Sequence, residues 1–187
     1  VGAVIGISVS ASNDPQVEIT SKNVSYEGAV KTVYIVETEN ADGYTVKVNF
    51  YDTDPANGGE ALYSKGIGNT VTIGEVEYDV VFSNGFAPNQ LRNSIFAVPT
   101  LVDANGAVVA TGATVEYSPY TYAMNRFNQD PTADQLALYT ALLDYGASVQ
   151  RLLLGTADYT EDDFALAGGY ADEYCGVKIS TVVDNSI

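Results

Sequence analysis

The sequence predicts a mostly β fold, an antiparallel immunoglobulin-like β-sandwich followed by a C-terminal α-helical hairpin. Three observations carry that expectation. With 14 Tyr and 17 Gly, and charged residues at only 17%, the composition favours strands and turns over helices for most of the 187 residues. About eight or nine short alternating stretches are separated by turn signals, which is the spacing of a sandwich. After Ser118 the apolar period changes from that of a strand to that of a helix. A chain of this length, 46% hydrophobic, can bury one core, so one domain is expected.

The first eleven residues, Val-Gly-Ala-Val-Ile-Gly-Ile-Ser-Val-Ser-Ala, alternate apolar and small polar positions. As an extended strand they place Val1, Ala3, Ile5, Ile7, Val9 and Ala11 on one face and Gly2, Gly6, Ser8 and Ser10 on the other, with Val4 the exception. Covering the larger odd side chains is worth roughly 6–10 kcal/mol, an upper bound because the unfolded chain already hides some area. Three settings fit such a segment: a neighbour's groove, the chain's own sheet, or the tail of a secretion signal with Val9 and Ala11 at the small-residue cleavage positions. The first is the expectation carried forward, with residues 1–14 as an extension that acts as a donor strand.

Residues 15–117 make the sandwich. Extended stretches are expected at 17–21, 29–38 and 44–51, the last with Tyr44, Val46, Val48 and Phe50 on one face and Thr45, Lys47, Asn49 and Tyr51 on the other. A turn-rich loop at 52–59 ends it, and residues 61–65 form a short strand. Residues 70–73 and 76–82 form a hairpin about Gly74-Glu75, and 94–102 with 107–117 form another, joined by Asp103-Ala104-Asn105-Gly106. Residues 118–155 make the helical hairpin. Ser118 caps its first helix ahead of Pro119, Asp130-Pro131 repeats that start signal, and Gly155 ends the second helix. Leu136, Tyr139, Leu142, Leu143, Gly146, Val149 and Leu153 recur at helical spacing. Residues 156–187 return to the sheet through a final strand at 176–183.

Eight Lys and Arg against 24 Asp and Glu leave a net charge of −16, which repels phosphate backbones and anionic lipid surfaces. Nucleic acid is therefore not an expected partner. No apolar run approaches the roughly 20 residues that span a bilayer, so no membrane insertion is expected. Cys175 is the only cysteine and is expected to be buried as a small hydrophobe. With no His, the Ser-His and Cys-His nucleophile arrangements cannot form. Carboxylate pairs such as Asp162 with Asp163, or Glu75 with Glu77, suit solvated turns better than glycoside hydrolysis, and the chain is not expected to be an enzyme.

Asp52, Asp54, Asn57 and Glu60 lie in one loop with Gly58 and Gly59, a set of hard oxygen donors on a backbone able to fold around calcium. The spacing departs from the helix-loop-helix site because Ala56 occupies a ligand position, and an ordinary acidic turn is the competing reading. Tyr117, Tyr120 and Tyr122 cluster at the strand-to-helix junction, where they pack the helices onto the sheet or present faces to a sugar.

Three runs, residues 15–28, 84–95 and 139–150, resemble a module of large secreted surface proteins of clostridial Gram-positive bacteria. In that module a sandwich of strands precedes a helix ending in Leu-(Asp/Asn)-Tyr-Gly-Ala-x-x-Gln, here Leu143 to Gln150. The resemblance covers about residues 15–155 and implies an extracellular, non-catalytic role. Gly146 and Ala147 are expected to let the helix approach the sheet closely. The apolar strand in front of the module points to self-assembly. The expected function is an extracellular structural subunit that builds a filament, tube or surface layer from copies of itself by N-terminal strand exchange. The alternative is a monomeric glycan- or cell-wall-binding surface module.

Overall fold

The computed structural model describes residues 13–154. The expected strand at Val1 to Ala11, the Gly155 cap, the final strand, Asp162, Asp163 and Cys175 lie outside the described residues. Two antiparallel sheets and two helices build the fold. One sheet has the order β1 (Gln16–Ser25), β2 (Lys31–Glu39), β6 (Val76–Phe82), β5 (Asn69–Ile73). The other runs β4 (Tyr63–Gly66), β3 (Thr45–Tyr51), β7 (Ile95–Val102), and β8 (Val108–Thr111) with β9 (Val115–Tyr117) follow one another along β7.

Alternation explains the layers. In β2, Thr32, Tyr34 and Val36 are buried while Val33 and Ile35 are half-buried, so both faces of this central strand are covered to some degree. In β3, Val48 and Phe50 are buried, while Thr45 and Lys47 on the other face are exposed and Asn49 and Tyr51 half-buried, the alternation of a sheet with one wetter face. The two inner faces share one core. Tyr34 and Phe50 meet across it with ring centres 5.8 Å apart, and Phe50 stacks on Tyr63 at 4.9 Å. Burying each such side chain contributes about 1.5–3 kcal/mol.

Several boundaries differ from the sequence reading. β1 extends to Ser25 and carries a bulge at Thr20, because the register steps from Ile19 opposite Val36 to Ser21 opposite Ile35. The expected single strand at 107–117 is two strands broken at Gly112. Pro99, buried in β7, is the cause: its carbonyl accepts from Gly112 N at 2.9 Å, so its missing donor faces the same side. A strand cannot complete its ladder against a proline. Gly112 is also the only residue type that fits, since a Cβ there would meet the Val17 carbonyl oxygen and lie 2.8 Å from Pro99 Cγ. The hairpin of β5 and β6 turns at Gly74-Glu75 as expected, with Gly74 at the positive φ (67°) that hairpin turns favour.

Ser118 caps α1 (Pro119–Phe127), its Oγ accepting from Thr121 N at 3.0 Å. The second helix, α2 (Ala133–Leu154), starts later than Asp130-Pro131. Thr132 is its cap: Thr132 Oγ1 accepts from Gln135 N, and Gln135 Oε1 accepts from Thr132 N, a reciprocal box. Asp130 sits in the linker at φ 47°. On α2, Leu136, Tyr139 and Leu143 are buried. Gly146 is buried too, but against a short turn at Pro88–Gln90 and not against a sheet: a Cβ there would lie 2.9 Å from Leu91 Cδ1 and 3.1 Å from Pro88 O. The Pro88–Gln90 turn with Leu91 and the Gly146 stretch of α2 therefore pack on each other. No described helix is long and apolar enough to cross a membrane.

Candidate functional site

The four sheet edges differ in how they are protected. β1 bulges at Thr20 and carries Glu18 and Lys22. β4 is four residues long and carries Lys65, whose Nζ donates to Ser83 O at 3.3 Å. β8 and β9 are interrupted at Gly112. β5, Asn-Thr-Val-Thr-Ile, has no charge, no proline and no register shift, and all five residues are exposed. Charges, prolines and bulges are the devices that blunt an open edge, and β5 lacks them.

Its faces follow from register. Val81 and its partner Tyr34 face the core, so Val76 and Tyr78 of β6 lie on the other face, opposite Ile73 and Val71 of β5, while Val80, next on that face, is buried. Ile73 is 54% exposed, Val76 52% and Val71 38%. The inner positions here are polar, Thr70, Thr72, Glu77 and Asp79, and Thr70 Oγ1 donates to Glu77 Oε1 at 2.7 Å. Along β6, β2 pairs only with Val80–Phe82, so residues 70–79 project beyond it as a two-stranded arm. Such a ribbon is marginal by itself. The outward apolar face continues onto half-buried Val33 and Ile35 of β2.

The loop expected to bind calcium is organised by its own backbone. Asp54 Oδ1 accepts from Ala56 N at 2.9 Å and caps a 3₁₀ turn at Pro55–Asn57, and Asp54 O accepts from Asn57 N and Gly59 N. Asp52 instead lines a cavity of about 200 Å³ with Leu62, Tyr63, Asn84 and Phe86, and Asn57 and Glu60 are exposed. Among the described residues, no group of three or more His, Cys, Asp or Glu is gathered to hold a metal ion. Glu75 lies in the hairpin turn while Glu77 is bonded to Thr70, so these two are not a facing pair in a cleft.

The tyrosines at the strand-to-helix junction are packing groups. Tyr117 and Tyr122 are buried and Tyr120 is half-buried. Tyr122 meets Tyr26 edge-on at 6.5 Å and Tyr139 at 5.6 Å, with the Tyr122 and Tyr139 hydroxyls 3.4 Å apart. Burial pushes the phenols of Tyr117 and Tyr139 up to about 12 and raises that of Tyr26 as well. Beside this cluster a cleft of about 360 Å³ opens between the β1 bulge and the end of α1, lined by Thr20, Ser21, Lys22, Tyr117, Asn125 and Arg126 among others. Sequence reasoning did not find it, because Lys22 and Arg126 come to line one cleft only once α1 packs beside β1.

No protein-family model matches this chain, and no curated protein matches it. Among solved structures, the crystal structure of an engineered protein is 11% identical over 54% of this chain, with a TM-score of 0.26. This chain spans 20% of that one.

Proposed function

We propose that this chain is an extracellular structural subunit that polymerises by strand addition. The alternating segment Val1, Ala3, Ile5, Ile7, Val9 and Ala11 of one copy pairs along β5 of the next, setting its apolar side chains beside Val71 and Ile73. The observation that carries this reading is the uncharged β5 edge, exposed at every residue and paired with exposed Val76 of β6. A donor segment and an acceptor edge at different places on the chain make a heterologous, head-to-tail contact, which propagates where its rotation does not close a ring. The pairing of consecutive strands and the two sheet orders, β1-β2-β6-β5 and β4-β3-β7-β8, support an immunoglobulin-like sandwich as the repeating body. With −16 per subunit, growth requires screening, so dilute buffer weakens the polymer.

Deleting residues 1–11 tests the proposal by sedimentation and negative-stain imaging of full and shortened chains. The expected product is a folded monomer beside a polymerising full chain. An unfolded product would mean that the segment belongs to its own sheet, and a full chain that stays monomeric at every concentration would also overturn strand exchange.

A further inference from the structure

Lys22 and Arg126 are each fixed in place without being neutralised. Lys22 Nζ lies 4.9 Å from the centre of the Tyr117 ring and donates to the Glu116 carbonyl at 3.1 Å. The Arg126 guanidinium carbon lies 5.2 Å from the centre of the Tyr122 ring, and Nη1 donates to Gln129 Oε1 at 3.0 Å. One such bond each leaves most of the three ammonium and five guanidinium donors unspent. The chain has 24 acidic residues for 8 basic ones, yet among the described residues neither of these two cations is paired with a carboxylate. Glu116 shows the arrangement most clearly. It offers Lys22 its carbonyl, while its carboxylate accepts from Ser94 Oγ at 2.6 Å.

The remaining cleft wall is polar but uncharged. The bulge brings Thr20 and Ser21 to one side, and Asn125 lies on the other. We infer that this cleft binds a carboxylate-bearing sugar, the carboxylate on Lys22 and Arg126 and the ring hydroxyls on Thr20, Ser21 and Asn125. Its volume of about 360 Å³ suits a small ligand. A zwitterionic amino acid fits poorly, because no acidic side chain lines the cleft to take its ammonium. The net charge of −16 opposes long polyanions, which selects a ligand with one local charge on a neutral body. Tyr117 and Tyr122 are buried and covered by the two cations, so they pre-organise the donors and do not stack on the sugar. The cleft lies at the β1 side of its sheet, opposite β5, and stands whether or not the chain polymerises.

The test is saturation-transfer NMR on the full chain, which reads the ligand and tolerates a large receptor, with D-galacturonate, D-galactose and acetate as probes. Galacturonate is expected to give a saturable signal that high salt weakens, with galactose and acetate each at least about tenfold weaker. Lys22→Met and Arg126→Met are each expected to weaken galacturonate about tenfold while circular dichroism stays unchanged. No saturable galacturonate signal overturns the inference. Galactose binding equally well removes the role of the charge, and acetate binding equally well removes the role of the sugar, and either also overturns it. These three probes decide the matter on the unmodified chain even if both variants misfold.

Discussion

The two outer strands of the sheet β1-β2-β6-β5 are opposites. β1 is sealed on its inner side by α1 and the tyrosine cluster, bulges at Thr20, and carries Glu18 and Lys22. Its Val17 carbonyl is pressed against Gly112 of the second sheet. β5 is unbulged, uncharged and exposed at every residue, and its hairpin with β6 runs past the end of β2. An edge closed by backbone contact derives stability from the core it touches. An edge left open contributes little to the fold and is available to a partner.

Glycine substitutions on the two sides should separate them most strongly. Gly112→Ala forces a methyl group into the Val17 carbonyl and Pro99 Cγ, neither of which is the end of a flexible side chain. Overpacking of that kind is expected to cost about 3 kcal/mol, read as a lowered urea midpoint. Gly74→Ala meets nothing within 4 Å and costs only the strain of its positive φ (67°), roughly 1–2 kcal/mol. If Gly74→Ala proved the more damaging, the sealed-versus-open distinction would be wrong.

Alkaline pH acts on the buried tyrosines, those of the sealed side among them. Burial holds the phenols of Tyr117 and Tyr139 at about 12, above the ordinary value of 10.0. In the unfolded chain they ionise near 10, so between about pH 10 and 12 the unfolded state binds fewer protons than the folded one. Their contribution to stability is complete below pH 10 and is lost as pH rises toward 12. Urea unfolding repeated across that window should show a falling free energy, and Tyr139→Phe should make the fall shallower. An unchanged slope in that variant would place the buried proton elsewhere.

Much of this contrast was legible locally and some of it was not. The alternation of β3, the Gly74 turn and the Ser118 cap each depend on residues within a few positions, and each appears where the sequence placed it. The start of α2 was misplaced because Pro131 imitates a first helical position, while the Thr132–Gln135 box supplies the actual cap. The break at Gly112 depends on Pro99 in another strand and on Val17 in another sheet, and no local period records either. The candidate sites follow the same rule. The donor segment is visible as an alternating run, but an acceptor edge is defined by sheet order, and the Lys22–Arg126 cleft is defined by where α1 lands.

Charging the open edge should have the smallest effect on folding and a complete effect on assembly. Ile73 is 54% exposed and stands opposite Val76, itself 52% exposed, so Ile73→Lys is expected to change unfolding free energy by no more than about 0.5 kcal/mol. On a strand that must accept a second strand, the same lysine places a hydrated charge where Ile5 or Ile7 would lie, and polymer should be absent from sedimentation and negative stain. Thr20→Lys puts the same charge on β1, which is already bulged and charged, and should leave polymers intact. With both variants expected to fold at nearly the parent stability, the difference between them isolates the accepting edge. Polymers that survive Ile73→Lys but not Thr20→Lys would assign acceptance to β1 and reverse the comparison.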